Sequence, residues 1–148
     1  MSELVREIVI AAEPETIWPF LTDPVRQVEW MGTEAEMDAR PGGVRRVRVG
    51  GDSPSVGEFL DVTPYERVVF TFGWDLPGHP IPAGSTRVEI LLLPEGDTTR
   101  VRLVHRDLPD DAHADHGRGW AHYLDRLGLA ATGADPGPDI RPDQEDPT

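Results

Sequence analysis

The chain has no cysteine, which removes disulfides, thiolate nucleophiles and cysteine-ligated zinc or iron–sulfur centres together. It has no apolar run near the roughly 18 to 20 residues that cross a bilayer. Its start, Met1-Ser2-Glu3-Leu4, lacks both the basic and the apolar region of a signal peptide. A cytoplasmic protein without membrane insertion is therefore expected. Positive charge is also short: the formal net charge is -13, so a phosphate backbone is repelled, and Arg45-Arg46-Val47-Arg48 is too brief a basic stretch to reverse that. No nucleic-acid partner is expected. Missing too are a G-x-S-x-G nucleophile elbow, an H-E-x-x-H zinc motif, a G-x-x-x-x-G-K phosphate loop and a dinucleotide-type glycine fingerprint.

What is present suits one domain of 148 residues, 38 % of them hydrophobic. From Gly133 onward the sequence GADPGPDIRPDQEDPT holds four prolines and five acidic residues, with Ile140 its one sizeable apolar side chain. Such a stretch cannot build a core, so 1–132 is expected to fold and 133–148 to form a disordered acidic, proline-rich tail.

Alternation marks a strand over 3–10 with Leu4, Ile8 and Ile10 inward. Pro14 suits the first position of a helix that Pro19 is expected to shorten or distort and Asp23-Pro24 to end. A short helix or turn follows over 25–30, an extended stretch over 33–39, then strands at 44–50, 55–63, 66–74, 85–93 and 98–106. Turn signals at Pro41-Gly42-Gly43, Gly50-Gly51, Thr63-Pro64 and Glu95-Gly96-Asp97 separate them. Short connections imply an antiparallel meander. In VVFTFGWD, residues 68–75, an extended chain puts Phe70, Phe72 and Trp74 on one face. Strand parity adds Val88, Ile90 and Leu92, and Val101, Leu103 and His105.

Over 109–132 the period changes to helical. His113, His116, Gly117, Trp120, Tyr123, Leu124, Leu127 and Ala131 share one face, with Asp107 or Asp110 as the expected N-cap and Gly133 as the stop. Strand, two short helices, a run of strands and one long helix make an α+β fold, the sheet curving around the terminal helix.

Several strings carry a family resemblance: PETIWPFLTDP through VEWMG, DARPGG, GEFLDVTPYERVVFTFGW, GSTRVEILLLPEGDTTRVRLVHRDLP and HGRGWAHYLDRL. In order and spacing, over roughly residues 3–130, they resemble the START-like or Bet v 1-like (SRPBCC) superfamily, in the branch named for the activator of the heat-shock-protein-90 ATPase. The resemblance implies a helix-grip fold with an elongated cavity between curved sheet and terminal helix, used by various members for mostly apolar molecules. It implies no single reaction, and homodimers are common in the family.

On that basis the expected ligand-binding residues are Trp30, Phe59, Phe70, Phe72, Trp74, Ile90, Leu103, His105, His113, His116, Trp120, Tyr123 and Leu124, facing a small apolar or amphipathic ligand, with no cofactor. Ordinary core packing is the competing account of the same aromatics. His113 and His116, one turn apart, and His105 could share a metal or bracket a polar ligand group; the expectation is that one or two of them rim the pocket mouth and hydrogen-bond to loops or solvent, with no metal. Glu58 shares parity with Val56, Leu60 and Val62, and Phe59 with Asp61, so either a carboxylate faces inward or a bulge breaks the alternation. Glu58 and His105 are the candidate acid–base pair should the cavity host a cyclase-, aromatase- or hydrolase-like reaction. Arg45, sharing parity with Val47 and Val49, could be an inward cation matched to an acidic ligand or to Glu58. A co-chaperone-like interaction domain is the third reading.

Overall fold

A computed structural model describes residues 3–49 and 54–139. The elements run β1 (Leu4–Ile10), α1 (Pro14–Thr22), α2 (Pro24–Gln27), β2 (Glu34–Met37), β3 (Val44–Arg48), β4 (Pro54–Thr63), β5 (Arg67–Phe72), β6 (Thr86–Glu95), β7 (Thr98–Arg106), a 3-10 turn (Asp110–Ala112) and α3 (His113–Ala131). The expected Gly50-Gly51 turn lies outside the described residues. One seven-stranded antiparallel sheet forms in the order β1-β7-β6-β5-β4-β3-β2. The helix-grip expectation holds: α3 packs on β1 and α1, and its face of Gly117, Trp120, Tyr123, Leu124, Leu127 and Ala131 is buried against the sheet.

Pro19 does not shorten α1, which continues to Thr22. The hydrogen bond that Pro19 cannot donate would go to the carbonyl of Glu15, an exposed residue whose oxygen water can serve. The Asp23 carboxylate accepts from Val25 N at 2.9 Å and starts α2 at Pro24. Trp30 then ties the helices together: its indole N–H donates to Phe20 O at 2.8 Å, while Arg126 Nε of α3 donates to Trp30 O at 2.9 Å.

Neither Asp107 nor Asp110 caps α3. Asp107 takes a left-handed φ of 70°, the 3-10 turn leads straight into the helix, and no side-chain cap hydrogen bond forms. The other end is firmer. Gly133 has φ 87°, its N–H bonds Ala130 O at 3.1 Å, and Ala134 N bonds Leu129 O at 2.8 Å, a Schellman closure that needs a left-handed residue. Residues 133–139, the beginning of the segment expected to be a tail, then double back over α3. Asp139 accepts from Tyr123 Oη at 2.7 Å and meets His122 Nε2 at 2.8 Å, and Arg126 donates to Pro136 O and Gly137 O.

Candidate functional site

β5, β6 and β7 present Phe72, Thr86 and His105 to Trp120 of α3, and His105 is the hub. It is 0 % exposed. The Trp120 indole, which can only donate, gives its N–H to His105 Nδ1 at 3.0 Å. Nδ1 is thus the acceptor and the proton sits on Nε2, which donates to Thr86 Oγ1 at 2.8 Å. Thr86 Oγ1 in turn donates its O–H to Phe72 O at 2.7 Å. Burial first, and the charges of His116 and His113 after it, pull the His105 pKa from 6.5 to about 3. It is a neutral ring with both nitrogens engaged.

His116 adopts the opposite tautomer. Its Nδ1 lies 3.0 Å from Ala112 O, a pure acceptor, so Nδ1 carries the proton and Nε2 accepts a longer 3.4 Å contact from the Trp74 indole. Its pKa is lowered chiefly by burial, against the opposing pull of the Ala112 carbonyl and Asp115. Around these two imidazoles, Phe72 has ring centroids of His105, Trp74, Trp120 and His116 at 5.0, 5.4, 5.9 and 6.2 Å. The rings of His105, Trp74 and His116 meet Phe72 edge to face and that of Trp120 is tilted against it, so an incoming molecule must part them.

The rest of the predicted set falls around this cluster. Ile90, Leu103 and Leu124 are buried core. Phe59 and Phe70 meet at 6.2 Å on β4 and β5. Trp30 is a packing anchor between α1 and α3. Tyr123 is buried, but its hydroxyl bonds Asp139. His113 stands at the start of α3 with Nε2 buried and unpartnered among the described residues. No group of three or more His, Cys, Asp or Glu among the described residues has metal-holding geometry.

Of the two alternatives for β4, a carboxylate facing inward or a bulge, the structure has the bulge. Phe59 is 0 % exposed while Glu58 is exposed, because a bulge between Phe59 and Asp61 lets the aromatic face inward and returns the strand to register afterwards. Glu58 therefore meets neither His105 nor Arg45, and the candidate acid–base pair is not formed. At Gly117 a Cβ would meet the mobile end of the Arg6 side chain and Leu4 Cδ1 at 3.3 Å, so α3 runs close to β1 here. Sequence reasoning missed Thr86 and Gln27. Thr86 continues the Val88, Ile90, Leu92 parity by one step; Gln27 is 0 % exposed in a four-residue helix with no periodicity to betray it.

A family model described as "Activator of Hsp90 ATPase homolog 1-like protein" matches residues 11–131. The chain belongs to this family. An AHSA1-like protein from Rhizobium etli is 44% identical, with 93% of this chain and 86% of that one covered at a TM-score of 0.74. CalU16 from Micromonospora echinospora is 28% identical, covering 97% and 71% at 0.74. Aha1 from Colwellia psychrerythraea, solved as a dimer, is 22% identical, covering 88% and 96% at 0.76, a likeness of fold. No curated protein matches the chain. The AHSA1-like assignment agrees with the strand order and the gripping helix; no helix among the described residues is long and apolar enough to cross a membrane.

Proposed function

We propose that this AHSA1-like protein binds a small, largely apolar molecule with a polar end between its sheet and α3. One observation carries the reading: Gln27 Oε1, Arg45 Nε and His113 Nε2 are buried without a hydrogen-bond partner among the described residues. They belong to α2, β3 and the start of α3, elements that border the interior. Leaving such an atom unpaired costs about 1–3 kcal/mol, and native interiors satisfy nearly all of them. A bound molecule that supplies the missing partner removes that cost, while its apolar body gains about 25 cal/mol per Å² buried. Entry is easiest at the start of α3, where the helix has no side-chain cap and carries Gly117 and Gly119.

Catalysis is the less supported alternative, since Glu58 is outside and both His105 nitrogens are occupied. Self-association and a cytoplasmic location belong to the same proposal; sedimentation equilibrium checks the first. The binding claim is tested with the four tryptophan indole N–H signals in nitrogen-15 NMR. Titration with small apolar compounds is expected to move Trp120 and Trp74, whose N–H groups bond the histidines, and to leave Trp30, locked to Phe20 O, in place. A panel that moves none of them contradicts the proposal.

A further inference from the structure

Arg45 shares the inward face of β3 with Val47 and is 3 % exposed. Its register partners are Met37 on β2 and Gly57 on β4. Glycine at 57 puts no side chain in the way, and a Cβ there would collide with the Thr71 carbonyl oxygen. The guanidinium reaches across β4 and lies over the Phe70 ring of β5, Cζ 3.9 Å from the centroid.

Its neighbours behave differently. Arg46 and Arg48 point outward and pair with Asp75 and Glu34 at 3.1 and 3.4 Å. Arg45 has no ion pair among the described residues, and its Nε is an orphaned donor. Glu58, the nearest carboxylate along β4, lies opposite Val44 and is exposed. Burial alone lowers the Arg45 pKa from 12.5 to about 9, which still leaves the group charged at neutral pH. A ring face returns less to a desolvated cation than burying the charge costs.

Resting on the ligand-binding reading above, we infer that Arg45 is the recognition group for a singly charged carboxylate, so that the molecule held in the grip is an apolar carboxylic acid. The guanidinium fork matches a carboxylate's two oxygens. One cation balances one charge, so the doubly charged phosphate group would leave a net charge buried beside Val47, Phe59 and Phe70. A net charge of -13 further disfavours polyanions.

The test uses matched acid and alcohol probes, octanoate against 1-octanol and 4-phenylbutyrate against 4-phenyl-1-butanol, in calorimetric titrations of wild type, Arg45→Met and Arg45→Gln. Wild type is expected to bind the acids at least about tenfold more tightly than the alcohols. Both variants should lose that preference, and Arg45→Met without ligand should melt at a higher temperature because an unpaired buried charge has gone. Equal binding of acid and alcohol by wild type, or a preference that survives in either variant, overturns the inference and leaves the ligand-binding reading standing. Failure of all four probes to bind overturns both.

Discussion

His105 shows what a buried imidazole can and cannot do in this fold. Trp120 donates to one nitrogen, Thr86 accepts from the N–H of the other, and burial keeps the ring neutral around neutral pH. Its folded pKa, about 3, lies below the ordinary 6.5, so the unfolded chain binds a proton between those values that the folded chain does not. The contribution to stability is complete above about 6.5 and is lost as pH falls toward about 3; His116, also lowered, acts in the same direction. Urea midpoints measured across that range are expected to fall with pH in wild type and to fall less steeply in His105→Gln. Equal slopes would show that His105 is not held neutral. The inward position of His105, Phe70 and Phe72 was legible from strand parity alone. Its tautomer was not, because that depends on Trp120 and Thr86, which come from two other elements. Arg45 was readable as an inward cation; that it has no carboxylate partner among the described residues was not, since the bulge after Phe59 decides where Glu58 points.

The elements divide into those whose ends the sequence marks strongly and those settled by tertiary contact. Gly133 closes α3 as its left-handed φ requires, whereas the expected aspartate cap at the other end is absent and the first turn rests on backbone bonds. Glycines along the chain are correspondingly unequal. A Cβ at Gly119 meets nothing within 4 Å, so Gly119→Ala should stabilise the protein by up to about 1 kcal/mol and slow ligand entry. Gly57→Ala should be strongly destabilising, because the Thr71 carbonyl oxygen cannot move without opening the β4–β5 ladder. Chemical denaturation of the two variants checks both signs; a harmless Gly57→Ala would refute the close approach. The stretch 133–139 was illegible as structure because prolines and aspartates carry no hydrophobic period. Its contacts are polar ones to His122, Tyr123 and Arg126. Truncation after Asp139 is expected to leave stability unchanged, and truncation after Thr132 to lower it by about 1–2 kcal/mol. Equal stability of the two truncated proteins would show that the docking contributes nothing.

At the scale of the whole molecule, charge is arranged by face. The outer side of the sheet carries arginines 67, 100, 102 and 106 interleaved with Glu7, Glu89 and Asp61, pairs that are worth little individually because most are solvated. The inner side is apolar apart from a few groups, of which the histidines 105 and 116 are neutral and bonded while Arg45, over the Phe70 ring, is charged and has no ion pair among the described residues. That contrast, more than any catalytic constellation, points to a receptor for a molecule that brings its own polar end. The most direct measurement is native mass spectrometry of gently purified protein, followed by denaturation and identification of what is released. The account predicts a co-purified apolar compound carrying one carboxylate, retained by wild type and depleted from Arg45→Met. Protein that is free of small molecules in both forms, and that takes up none when offered a cell extract, would contradict it.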